Sequence, residues 1–174
     1  MPHCAQEKFN YFVLISGFAL TYLSYVFIEL LNKKITYYSI DIKWRDKTIN
    51  INALVDTGNS LIEPLSNKPV IVAEYSVLKD VLPQKLVEIY ENKRESNLME
   101  IVSAISEDNL RKNMRVIPFK SVGNEKGMMI GFIAESVKIK DNIIKKPVIG
   151  ICRFNLSRNG LYSALISPKH LGGI

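Results

Sequence analysis

The chain has 174 residues, of which 47% are apolar and 23% charged, and its formal net charge is +6. This length and composition predict one globular domain of ordinary size and exclude a low-complexity or repeat-built chain. The basic residues form no compact block interleaved with aromatic residues, so nucleic-acid binding is not expected. Cys4 and Cys152 lack metal-ligand spacing and are expected to be free thiols. His3 and His170 are expected at the surface, and neither a metal nor a cofactor is expected.

The N-terminal segment contains a run without charged side chains, residues 9–28, which is the length that an α-helix needs to cross a bilayer. A signal peptide would have a shorter apolar region and a better cleavage site, and a buried core helix would usually show a polar stripe. We therefore predict one membrane span at about residues 9–31, within a membrane segment of residues 1–34. Lys33 and Lys34 favour a cytoplasmic position for the domain that follows, residues 35–174.

The rest of the chain is rich in strand-like runs. These runs carry β-branched and apolar residues and are separated by polar turns; they occupy residues 35–44, 48–55, 69–73, 99–105, 114–122, 128–134 and 136–139. Two short helices are predicted within residues 76–94, the first capped by Ser76 and the second beginning at Pro83. The domain is therefore expected to be mostly β with a small helical insert.

Two glycine-containing stretches predict turns. Residues 123–127 are expected to form a turn between two strands. Asn159-Gly160 stands between two apolar runs, residues 151–156 and 161–166, and this pattern predicts a β-hairpin.

The triplet Asp56-Thr57-Gly58 directly follows a predicted buried strand. A carboxylate at such a position is costly unless it has a partner or a function. Asp56 could act as a general base toward a water molecule, Thr57 could hold the loop through its hydroxyl, and Gly58 would let the backbone turn closely. The alternative is a plain turn, but the strand-to-loop context favours the catalytic loop of an aspartic protease.

This chemistry needs a second carboxylate. Like charges about 3 Å apart cannot both ionise, so two carboxylates share one proton and act as acid and base. The sequence has one Asp-Thr-Gly, and the other aspartates considered, Asp46, Asp80, Asp108 and Asp141, lie in polar turns or on predicted helix surfaces. A two-fold axis would bring Asp56 of two chains together, so the sequence predicts a homodimer.

Three blocks carry a resemblance to a known family: ALVDTGNSLIEPLSNKPVIV at residues 53–72, RVIPFKSVG at 115–123 and LYSALISP at 161–168. Over residues 35–168 the chain resembles the sporulation sigma-E factor processing peptidases, the stage II sporulation protein GA family. That family is similar to the retroviral-type aspartic proteases, which place an apolar-apolar-glycine element downstream of Asp-Thr-Gly. Val148-Ile149-Gly150 matches this element, and Thr57, Gly58, Asn59, Val148, Ile149 and Gly150 are expected to support the catalytic Asp56.

The resemblance implies a mainly β, retroviral-type half-barrel that dimerisation completes. It also implies an endopeptidase of the mother-cell membrane that removes the N-terminal pro-sequence of the sigma-E precursor, with a forespore-secreted protein as activating partner. Family members carry several N-terminal spans, whereas this chain shows one, which predicts a shortened membrane region. The flap over the substrate is expected either at residues 123–129 or at residues 99–109. The alternative function is a non-catalytic, membrane-anchored β domain that binds a partner protein, with Asp56 only structural.

Overall fold

The computed structural model of the chain describes residues 15–26, 35–92, 112–121 and 124–172. The chain divides into two compact units, Met1–Ile35 and Thr36–Ile174. In the first unit, residues 15–26 form an α-helix, α1, with mostly exposed side chains. None of the helices within the described ranges has both the length and the apolar character that a bilayer crossing requires. The predicted span at about residues 9–31 lies partly outside the described residues.

The second unit is mainly β. Its strands are β1 (Tyr37–Trp44), β2 (Lys47–Val55), β3 (Val70–Glu74), β4 (Met114–Ser121), β5 (Asn124–Ile133), β6 (Ser136–Ile139), β7 (Asn142–Lys145), β8 (Val148–Cys152) and β9 (Ala164–Ile166). The helices are α2 (Tyr75–Leu78) and α3 (Gln84–Glu91), and a 3-10 helix (Pro168–Leu171) follows β9. This arrangement confirms the predicted mainly β domain with a small helical insert.

The nine strands form one sheet, in the order β4-β5-β8-β3-β9-β2-β1-β6-β7. The short strand β9 lies at its centre, parallel to β2 and antiparallel to β3. Trp44 of β1 stacks on Phe132 of β5, with ring centroids 4.1 Å apart. Because β1 and β5 are far apart in the strand order, this contact shows that the sheet curls back on itself.

Apolar side chains cover both faces of the sheet, because successive residues of a strand point to opposite sides. In β3, Ile71 and Ala73 belong to the larger core, whereas Val70 and Val72 belong to a smaller cluster on the other face. The larger core includes the apolar side chains of α3, of which Leu86, Ile89 and Tyr90 are buried and Val87 is partly buried.

Three local predictions were wrong. Helix α2 begins at Tyr75 directly after β3, so Glu74 and not Ser76 is the N-cap residue, and the Ser76 hydroxyl donates to the Glu74 carboxylate at 3.0 Å. Pro83 is the N-cap residue of α3 rather than its first residue. The predicted turn at residues 123–127 is largely strand, because β5 begins at Asn124 and continues the pairing with β4.

The predicted hairpin at Asn159-Gly160 is also wrong. The chain does turn there, with Gly160 at φ 68° and the Ser157 hydroxyl donating to the Asn159 side chain at 2.7 Å. However, β3 lies between β8 and β9, so the two flanking runs do not pair with each other. Sequence analysis also missed β7, and the strand predicted at residues 99–105 lies outside the described residues.

The loop between β2 and β3 is built around a buried carboxylate. Glu63 is 1% exposed and accepts hydrogen bonds from the Leu65 amide at 3.0 Å and the Ser66 amide at 2.8 Å. The Ser66 hydroxyl donates to it at 2.5 Å, and Arg115 Nε of β4 lies 3.8 Å away. Burial raises the pKa of Glu63, but the hydrogen bonds from Ser66 and Leu65 and the charge of Arg115 outweigh it, so the net pKa is lowered. Glu63 therefore joins this loop to β4 as a carboxylate.

The C-terminal 3-10 helix is held by His170, which is 4% exposed. Its Nδ1 accepts from the Ser167 amide at 3.0 Å, and its Nε2 lies 3.2 Å from the Pro69 carbonyl oxygen. The expectation of a surface histidine was therefore wrong for His170, because the ring caps the helix beside β3, whereas His3 lies outside the described residues. Burial lowers the pKa of His170, although its contacts with Pro69 and Ser167 oppose the shift.

We expect Glu63→Ala to lower the free energy of unfolding by about 3 kcal/mol, because two amides and Arg115 lose their buried partner. The measurement is urea denaturation followed by the fluorescence of Trp44, the single tryptophan, which is buried. Glu135→Ala is the matched control, since Glu135 pairs with Lys43 at 3.2 Å but is half exposed. The control should lose less than about 1 kcal/mol, and equal losses would contradict the role of Glu63.

Stability should also depend on pH through His170. Its folded-state pKa lies below its ordinary value, so the unfolded chain takes up a proton first as the pH falls. The free energy of unfolding should therefore fall as the pH drops below about 6.5 and stop falling once the folded form is also protonated. His170→Gln should flatten this dependence in the same denaturation assay. An unchanged slope in that variant would show that other groups are responsible.

Candidate active site

Asp56 stands immediately after β2, at a strand end that is held from both sides. The Val55 amide donates to the Thr36 carbonyl oxygen at 2.9 Å, and the Asp56 amide donates to the Ile166 carbonyl oxygen of β9 at 2.9 Å. Thr36 is the first residue of the second unit, and Ile166 lies near the last residue of that unit in sequence. The backbone that carries the Asp56 carboxylate is therefore fixed by contacts distant in sequence.

The Asp-Thr-Gly loop closes on its own carboxylate. The Gly58 amide donates to Asp56 Oδ1 at 2.8 Å, and the Asn59 amide donates to the Asp56 carbonyl oxygen at 3.2 Å. A Cβ atom at Gly58 would lie 3.2 Å from Asp56 Oδ1, closer than an ordinary contact, so glycine suits this position. Thr57 and Gly58 are exposed, and Asp56 is half-buried.

Asn59 connects this loop to β3. Its Nδ2 donates to the Val70 carbonyl oxygen at 3.1 Å, and its Oδ1 accepts from the Leu61 amide at 3.2 Å. The Val70 amide in turn donates to the Leu61 carbonyl oxygen at 3.0 Å. The side chain of Asn59 thus holds the Asp56 loop against the first residue of the next strand.

Val148, Ile149 and Gly150 lie in β8, which pairs with β3 through Val70↔Val148 and Val72↔Gly150. All three are buried. A Cβ atom at Gly150 would lie 2.5 Å from the Met129 sulfur and 3.1 Å from Val70 Cγ1, so the absence of a side chain makes room for Met129. None of the three residues lines the groove, but Gly150 leaves the space that Met129, a residue of the groove wall, occupies.

A groove of about 940 Å³ opens between the Asp56 loop and the β4–β5 hairpin. It is lined by Asp56, Gly58, Asn59, Ser60, Leu61, Ile62, Val72, Pro118, Phe119, Lys120, Gly127, Met128, Met129, Cys152, Leu156 and Leu165. Only Asp56 and Lys120 among these carry charge. The volume is that of a typical ligand site, and the apolar walls favour a peptide with apolar side chains.

Several wall residues could not be identified from the sequence. Leu156 lies in an irregular loop, where its amide donates to Glu74 at 2.7 Å and its carbonyl oxygen accepts from the Tyr162 hydroxyl at 3.0 Å. Cys152 is a free thiol, as predicted, and donates to the Phe154 carbonyl oxygen at 3.4 Å. Burial raises the pKa of the Cys152 thiol, so it remains protonated at neutral pH. Cys4 lies outside the described residues.

Asp56 supplies the carboxylate that lines the groove. Among the residues that the structure describes, no second aspartate or glutamate lines the groove. One carboxylate beside an apolar groove can hold and polarise a water molecule, but it cannot also supply the acid that peptide hydrolysis needs. Within the described residues, one chain thus supplies a single carboxylate to the groove.

Several curated proteins are similar in sequence to this chain. The sporulation sigma-E factor-processing peptidase of Priestia megaterium is 28% identical over 166 residues, which cover 91% of this chain and 53% of the relative. The protein of the same name from Bacillus subtilis is 28% identical over 178 residues, covering 96% and 56%. A Bacillus thuringiensis relative, provisionally named a sporulation sigma factor-processing peptidase, is 28% identical over 137 residues, covering 76% and 82%.

The chain spans about half the length of the first two of these curated relatives. No solved structure matches the chain. The sequence profile described as sporulation factor SpoIIGA matches residues 3–170. Because this match extends over nearly all of the sequence, the chain belongs to the sporulation factor SpoIIGA family.

Proposed function

We propose that this protein is a membrane-associated aspartic endopeptidase that removes the N-terminal pro-sequence of the sporulation sigma-E factor precursor. The observation that carries the proposal is the Asp56 carboxylate at the wall of an apolar groove, held by the Gly58 amide. Membership of the SpoIIGA family and the names of the relatives support the choice of substrate.

The active form in this proposal is a homodimer with one Asp56 from each chain. The two carboxylates share one proton across the two-fold axis. The ionised one takes a proton from water as the water oxygen attacks the scissile carbonyl carbon, and the protonated one donates its proton to the carbonyl oxygen. The tetrahedral intermediate then breaks its C–N bond: the carboxyl that took the proton from water gives it to the leaving nitrogen, and the other carboxylate takes a proton back from a hydroxyl of the intermediate, which restores the dyad. The exposed Thr57 and Gly58 support this pairing, because both remain available to a second chain.

The β4–β5 hairpin is the better candidate for the flap. Pro118, Phe119 and Lys120 of β4 and Met128 and Met129 of β5 form the groove wall that faces Asp56. These residues include part of the first flap candidate, residues 123–129. The second candidate, residues 99–109, lies outside the described residues. In the proposed enzyme this hairpin covers the bound peptide and excludes water from the reacting groups.

The membrane location is part of the same proposal. In α1, the apolar side chains of Ile15, Phe18 and Leu20 are 68%, 76% and 68% exposed, so this helix presents a surface that lipid would cover. Together with Lys33 and Lys34 it supports a span at about residues 9–31 with the catalytic unit on the cytoplasmic side, in the mother cell. A forespore-secreted protein is the proposed activator.

Asp56→Ala should abolish processing of the sigma-E precursor on co-expression, with a loss on the order of 10³-fold or more, because the general base is removed. The readout is the ratio of processed to unprocessed precursor on a gel, with protein level and Trp44 fluorescence as measures of folding. Asp46→Ala is the control, since Asp46 is exposed in the β1–β2 turn. Undiminished processing by a folded Asp56→Ala protein would exclude the catalytic role and favour a non-catalytic binding domain.

Co-expression of wild type with an equal amount of Asp56→Ala should show a dominant-negative loss. With random pairing, about one quarter of the dimers carry two intact aspartates, so activity per wild-type chain should fall to about one half. Processing rates at several ratios of the two chains measure this effect. Activity that stays proportional to the amount of wild-type chain would contradict the shared site.

A further inference from the structure

A second, smaller cavity of about 110 Å³ lies beside the groove. Four residues, Phe119, Met128, Met129 and Cys152, line both spaces, so the two are adjacent. The remaining walls come from Tyr90, Ile130, Ile151, Arg153 and Phe154. Because Tyr90 belongs to the helical insert, we call this space the insert pocket.

The ring of Phe119 stands at the boundary between the groove and the insert pocket. It packs on the backbone of Gly127, its pairing partner in β5, so closely that a Cβ atom there would lie 2.5 Å from the ring. This position depends on the lack of a side chain at Gly127. The ring therefore separates the two spaces, and its size sets how much of the insert pocket is open to the groove.

The walls of the insert pocket favour an apolar occupant. The Tyr90 hydroxyl already donates to the Ile151 carbonyl oxygen at 3.2 Å, and the Tyr90 ring is buried and stacked on Tyr75, with centroids 4.8 Å apart. Met128 and Phe154 are 60% and 76% exposed, although both are large apolar side chains at this pocket. Covering such side chains with another apolar group is favourable, and methionine adapts to different shapes.

We infer that the insert pocket binds one large apolar side chain of the peptide that occupies the groove, and that Phe119 determines the size of side chain admitted. This inference rests on the proposed function, because the occupant belongs to the substrate of Asp56. It makes Phe119 and Phe154 residues that determine specificity, acting through shape rather than through the hydrolytic step.

The test uses the full-length chain in lipid vesicles with purified sigma-E precursor. Each of the four precursor residues on either side of the cleavage site is changed in turn to Ala, Leu and Trp, and kcat/KM is measured for wild type and variants. Wild type should prefer Leu over Ala at one of these positions by about tenfold, a usual value for an apolar pocket. Phe154→Ala should reduce this preference to about twofold or less. Phe119→Ala should raise the relative kcat/KM for Trp at the same position by about tenfold.

Leu65→Ala is the matched control, because Leu65 is 82% exposed and lies outside both spaces; it should keep the wild-type preference. If thermal unfolding shows that Phe119→Ala does not fold, Phe119→Leu gives the same comparison with a smaller reduction in side-chain size. Folded Phe119 and Phe154 variants could keep both the wild-type side-chain preferences and Asp56-dependent cleavage. That result would overturn the role of the insert pocket but not the proposed function. An acidic preference that Arg153→Gln removes would also overturn the role of the insert pocket. Absence of Asp56-dependent cleavage by wild type would instead overturn the proposed function.

Discussion

The hydrogen bond from the Asp56 amide to the Ile166 carbonyl oxygen is the interaction on which the candidate site depends. It joins the end of β2 to the end of β9, a strand of three residues at the centre of the sheet. Because β9 also pairs with β3, it sets the spacing between the strand that presents Asp56 and the strand that the Asn59 side chain contacts. Without β9, the Asp56 loop would lose one of the two backbone contacts that fix the end of β2.

A second set of contacts connects the Asp56 loop to β3 and β4. Asn59 joins the loop to β3, and Glu63 organises the following turn and approaches Arg115 of β4. The hairpin that forms one groove wall is thereby connected to the segment that follows the catalytic triplet. Buried polar groups of this kind are costly to leave unpaired, so the loop has few alternative conformations.

Local pattern predicted much of this structure. The alternation in residues 48–55 identified β2 and placed Asp56 at its end, and the run at residues 69–73 identified β3. Two cap positions and one turn were wrong locally, and the larger failures concern long-range pairing. Asn159-Gly160 has the composition of a hairpin turn, but the residues after it pair with β2 and β3 instead, and no local signal specifies such partners. The burial of His170 likewise depends on a distant contact, that of its ring with the Pro69 carbonyl oxygen, and no local pattern shows that Phe119 lies between two cavities.

The central position of β9 has a consequence for how the protein is made. Ile166 lies near the C-terminal end of the sequence, whereas Asp56 is in its first half, so their pairing closes a very long loop. Pairings between distant segments form late and slowly compared with local hairpins such as β1–β2. During synthesis, the nascent chain can form its early hairpin but cannot secure the Asp56 loop in this way until Ile166 has left the ribosome. The candidate site therefore becomes ordered only after β9 has been made.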